Sequence, residues 1–123
     1  MTNDQFDLKQ RTKAFALRVI KLFGALPKST AAKVLGTQVL RSGTSVGANY
    51  HEADSARSRA EFIAKMGDSL KELSETSYWL ELLIDSEIVP SKKLAPLLKE
   101  THELKSVFAA IIKKTRDRGE SSN

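Results

Sequence analysis

Apolar residues recur along this chain at alternating steps of four and three, and breakers divide the repeat into four segments. The first spans about residues 4–25, where Leu8, Thr12, Phe15, Val19, Leu22 and Leu26 form a seam flanked by Ala16, Ile20 and Phe23. Gly24 and Pro27 close it. The second, capped by Ser29 or Thr30, runs to roughly Ala53 through Leu35, Val39, Ser42, Val46 and Asn49. The third starts near Ser58, because Ser58 followed three residues later by Glu61 is a capping box. Its seam is Ile63, Met66, Leu70, Leu73, Ser77, Leu80 and Ile84. The fourth follows Pro90, with Ser91 as its cap, and carries Leu94, Leu97, Thr101, Leu104, Phe108, Ile111 and Thr115.

Short loops force neighbouring helices antiparallel, and sustained four-three seams favour crossing angles near about 20°. The pattern therefore predicts an all-α fold, an up-down-up-down antiparallel four-helix bundle. A single domain is expected over residues 1–115. Residues 116–123, which lose the seam, are expected to form a frayed or disordered tail.

The second segment breaks the rule it otherwise follows. Ser42 and Asn49 fall on its buried stripe, where an unpartnered polar group costs about 1–3 kcal/mol. Gly36, Gly43 and Gly47 occupy the adjacent stripe, although each glycine weakens a helix interior by about 1 kcal/mol. Both features point to close helix approach and a specific polar network. Gln38, Arg41, Ser45, Asn49 and Glu52 line one side of the same helix at steps of three and four. Two readings of that stripe stand: a buried or half-buried hydrogen-bond network that fixes register, or a recognition surface. Arg41 is its natural hub, with Glu72, Glu75 and Glu81 as acceptors on the third helix.

Charge is unevenly spread. Residues 1–30 carry +4, 31–60 carry +2, 61–90 carry −5 and 91–123 carry +4, within a total of +5. Either the opposed charges pair within the fold or across a subunit interface, or the basic faces bind nucleic acid. The nucleic-acid reading rests on Lys9, Lys13, Arg18 and Lys21 of helix one and Lys105, Lys113, Lys114 and Arg116 of helix four. It implies phosphate contacts without base readout, because no aromatics interleave with these cations. Absence of cysteine rules out disulfides and thiolate metal sites. With a polar, acidic start and no long apolar run, a soluble cytoplasmic protein is expected.

The motif Gln38-x-x-Arg41-Ser42-x-x-Ser45-Val46-x-x-Asn49-x-x-Glu52 resembles that of the bacterial four-helix-bundle proteins encoded in intervening sequences of 23S ribosomal RNA. The likeness continues through Arg59-x-Glu61-Phe62-x-x-Lys65-x-Gly67-x-Ser69, Glu72-Leu73 and Tyr78-Trp79-Leu80, and covers roughly residues 8–115. Ala53 stands where many members have glycine, so helix two is expected to run slightly further. The family also includes the accessory variability protein of diversity-generating retroelements, the branch to which nucleic-acid binding belongs. The resemblance implies a bundle without catalytic residues and, from some relatives, a homopentameric ring.

Catalytic constellations are weak. A di-metal bundle needs Glu-x-x-His pairs, but Ala48 and Lys99 stand three residues before His51 and His102. No nucleophile elbow or phosphate loop occurs. The chain is therefore expected to be no enzyme and to hold neither metal nor cofactor. Tyr78 and Trp79 are adjacent and point in different directions, so one is expected in the core and the other at a groove or oligomer interface. The reading that results is a non-catalytic homo-oligomeric interaction or assembly protein. Its alternative is a nucleic-acid-binding accessory protein.

Overall fold

The computed structural model describes the backbone of residues 4–121 and the side chains of residues 8–119. Four helices follow one another: α1 (Asp4–Ala25), α2 (Thr30–Asp54), α3 (Arg59–Asp85) and α4 (Ser91–Ser121). They form the expected antiparallel bundle, in which α2 packs most extensively on α3, α1 on α2 and α3 on α4, while α1 and α4 meet at few points.

Local chemistry sets the boundaries. Ser29 caps α2 by accepting from the Ala32 N–H at 3.2 Å. Ser58 caps α3 by accepting from Glu61 N–H at 3.0 Å, and the Glu61 carboxylate reaches back to the Arg57 N–H at 3.3 Å, one residue before the usual target of a capping box. Ser91 proves to be the first residue of α4 rather than its cap, and the Pro90 carbonyl accepts from Lys93 N–H at 3.0 Å. At the close of α3, Glu87 takes a left-handed conformation, φ 62°, and so turns the chain into α4.

One boundary departs from expectation. The helix does not end at Thr115: α4 continues to Ser121, so the tail expected over 116–123 is helical over 116–121, and residues 122–123 lie outside the described residues. Lys113 pairs with Asp117 at 2.9 Å along the helix, and Arg59 of α3 lies against Gly119. Polar side chains thus carry the helix past its apolar seam.

The core follows the seams. Leu8, Phe15 and Val19 of α1, Val39 and Val46 of α2, Met66, Leu73, Leu80 and Leu83 of α3, and Leu104 and Phe108 of α4 are all but inaccessible. Tyr50 joins them, its ring edge-on to Phe108 with centroids 6.1 Å apart. In the last turns of α4 the buried side shifts from Ile111, which is half-buried, to Ile112.

The glycine stripe faces α1. A Cβ at Gly43 would come within 2.7 Å of Val19 Cγ2, and one at Gly47 within 3.2 Å of Thr12 Oγ1. At Gly36 it would meet Leu26 Cδ1 at 2.5 Å. Nothing lies within 4 Å of the same position at Gly67 in α3. Alanine at these sites therefore acts in opposite directions. Gly67→Ala should raise stability by about 1 kcal/mol through helix propensity. Gly43→Ala should lower it by about 1 kcal/mol, because overpacking against branched, buried Val19 exceeds that gain. Denaturant unfolding of both variants checks this, and equal stabilisation would show that α1 and α2 are not in close register.

Candidate functional site

The polar stripe of α2 divides into an inner and an outer part. Inside, the Ser42 and Thr76 hydroxyls lie 2.7 Å apart in full burial, and Ser69 Oγ donates to the Val46 carbonyl at 2.8 Å. Outside, Arg41 reaches across to α3, with Nη2 2.6 Å from Glu75 Oε1 and Nη1 3.4 Å from Glu72 Oε1, while Nε meets Gln38 Oε1 at 3.3 Å. The hydrogen bond that Arg41 donates to Glu75 raises the guanidinium pKa, with the charges of Glu72 and Glu75 adding to it.

The burial expected of this stripe needs correction at Arg41 and Glu52 only. The Arg41 side chain is 48 % exposed, because its length carries the guanidinium to the outer edge of the α2–α3 interface. Gln38, Ser45 and Asn49 are half-buried. Ser45 Oγ donates to the Arg41 carbonyl at 2.7 Å, and Asn49 makes no side-chain hydrogen bond among the described residues. Glu52 is exposed and pairs with Lys65 at 2.7 Å, which raises the lysine pKa. Glu81 is exposed and makes no contact with Arg41.

The distribution of cations is sharper than the segment charges indicate. Residues 8–51 hold eight lysines and arginines and no carboxylate. Two of the eight are held by acids from other helices: Arg41, and Arg11, whose Nη2 lies 2.7 Å from Glu100 Oε1 and 3.6 Å from Glu103 Oε1. Lys9, Lys13, Arg18 and Lys21 are exposed and pair with no carboxylate among the described residues. These four do not form one face. Lys9 and Lys13 border a groove between α1 and α2 that includes His51, Ala16, Gly47 and Tyr50. There burial, then the charge of Asp54, pushes the Tyr50 phenol up to about 12. Arg18 and Lys21 border a different crevice with Lys93. On α4, Lys105 is half-buried, Lys114 and Arg116 are exposed, and Lys113 is occupied by Asp117.

The aromatic pair splits in two directions. Tyr78 is 54 % exposed, whereas Trp79 packs against the core with its Nε1 buried and unpartnered. Their rings meet edge to face at 5.1 Å. Both histidines are exposed, and no group of three or more His, Cys, Asp or Glu among the described residues is placed to hold a metal. No helix among the described residues is long and apolar enough to cross a membrane. The hydroxyls at Ser69 and Thr76 were missed by the sequence reading, although their spacing of seven matches that of Ser42 and Asn49 on the facing helix.

Exposed ion pairs contribute about 0–1 kcal/mol. Arg41→Met should accordingly cost less than about 1 kcal/mol in denaturant unfolding, keeping the alkyl packing while losing Glu72 and Glu75. A loss of several kcal/mol would place the guanidinium in the interior.

Comparison with known proteins fits this arrangement. The family model described as 23S rRNA-intervening sequence protein matches residues 4–110. A crystal structure described as a protein of unknown function from the S23 ribosomal protein family of Bacteroides thetaiotaomicron is 39 % identical. It superposes with a TM-score of 0.84 over 89 % of this chain and 97 % of that one. No curated protein matches the chain. The four-helix architecture and the match over nearly the whole length establish that this chain belongs to the 23S rRNA-intervening sequence protein family.

Proposed function

We propose that the protein is a non-catalytic interaction module that assembles with copies of itself. The observation that carries this reading is the presence of two unlike, complementary surfaces. On α1, Leu17 and Ile20 are 57 % and 49 % exposed beside Lys13 and Lys21, within the acid-free stretch 8–51. On α3, the exposed Tyr78 ring stands among Glu75, Glu81 and Asp85. A contact between such surfaces is heterologous and closes into a ring when its rotation permits. Aromatic anchors supply most of the energy of such contacts, and opposite charge sets orientation. Resemblance to ring-forming relatives favours five subunits.

Light scattering over the micromolar range tests this reading. The expected mass is five times the 13.6 kDa chain mass, retained at high salt because apolar burial outweighs exposed ion pairs of about 0–1 kcal/mol each. Leu17→Glu or Tyr78→Glu should reduce the mass while leaving the helical spectrum unchanged. A single 13.6 kDa species at every concentration refutes the reading.

The second reading, a nucleic-acid-binding accessory protein, is favoured by Lys9, Lys13 and Lys21, which have no acidic partner among the described residues. The 23S rRNA of the family description makes RNA the first probe. Its affinity should fall steeply with salt, and replacing these three lysines with alanine should flatten the log–log slope by roughly three. An unchanged slope excludes α1 as the contact.

A further inference from the structure

The crevice between the end of α1 and the start of α4 gathers lysine and arginine from both helices without a carboxylate in its lining. Where these two helices meet lower down, Arg11 of α1 pairs with Glu100 of α4. Antiparallel helices keep residues two turns apart in step, so the register that joins Arg11 to Glu100 brings Arg18, seven residues on, opposite Lys93, seven residues back. Both residues line the same crevice, of about 580 Å³, together with Lys21. No carboxylate lines it, and none of the three cations forms an ion pair among the described residues. Like charges facing each other across a helix interface repel, and an anion between them relieves that repulsion.

The floor is as informative as the rim. Leu22, Leu94 and Leu97 form an apolar surface below the cations, and the size lies within the range of small-molecule sites. Inorganic anions have no use for such a floor, and neutral apolar molecules have no use for three cations in the lining. We propose that this crevice binds a small amphiphilic anion, one whose carboxylate sits between Arg18 and Lys93 and whose alkyl body lies on Leu22, Leu94 and Leu97. The site adjoins the α1 surface invoked for self-assembly and shares Lys21 with it, but its anion-holding residues Arg18 and Lys93 lie outside the contacts named there.

Calorimetric titration of the full chain with decanoate tests the assignment, with decyl maltoside as the uncharged tail and inorganic phosphate as the anion alone. Decanoate should bind once per chain and raise the unfolding temperature, and each control should bind at least about tenfold more weakly. Arg18→Glu supplies the missing partner for Lys93. It should raise the unfolding temperature of the free protein and weaken decanoate at least about tenfold, whereas Lys71→Glu on α3 should leave decanoate affinity unchanged. Equal decanoate affinity in Arg18→Glu and wild type overturns the proposal. So does an Arg18→Glu variant that loses assembly mass while wild-type protein ignores decanoate, which would assign the crevice to a second copy.

Discussion

The bundle depends on how little side-chain bulk separates the backbone of α2 from its two neighbours. Toward α1 it presents Gly36, Gly43 and Gly47, and toward α3 it presents Ser42, whose hydroxyl meets Thr76 in full burial. Ser69 of α3 reaches the Val46 carbonyl itself, a bond that only a close helix pair allows. The hydroxyls also satisfy themselves economically. Ser42 lies 2.9 Å from the Gln38 carbonyl and Thr76 2.8 Å from that of Glu72, so two protons serve three short contacts. At any moment one hydroxyl bonds within its own helix and the other donates across. Neither is left unpaired, so the burial that the sequence makes look costly is compensated.

Ion pairs then fasten the edges that the small residues bring together. Arg41 with Glu72 and Glu75, Lys65 with Glu52, and Arg11 with Glu100 each join different helices at a partly solvated rim. Such pairs select register more than they stabilise. They also consume two of the eight cations between residues 8 and 51, a stretch that contains no acid of its own. The one-sided charge of the molecule is therefore a consequence of fold and sequence together. It gives α1 an outer surface unlike that of α3.

Periodicity made the fold legible, since burial alternates at steps of three and four wherever a helix faces a core. Ser42 and the glycines were legible too, because each contradicts the composition its stripe requires. Arg41 was misjudged in depth: position on a stripe fixes where a side chain starts, not where a long flexible one ends. Ser69 and Thr76 escaped because Leu70 and Ser77, one step round α3, describe an equally good apolar seam. The end of α4 escaped because apolar spacing carries no signal where ion pairs and a neighbouring arginine sustain the helix. The opposition of Arg18 and Lys93 needs the register between two helices distant in sequence, which no single segment encodes.

A double-mutant cycle between Ser42→Ala and Thr76→Val measures the α2–α3 approach most directly, since Ser42→Ala deletes one hydroxyl and Thr76→Val exchanges the other for a methyl. The structure predicts that each single variant removes the bond across the interface, leaving the other hydroxyl only the carbonyl of its own helix, and that the pair is less damaging than the sum, with a coupling of about 1 kcal/mol. Strict additivity would contradict it, for then the two helices would not be close enough for these groups to meet.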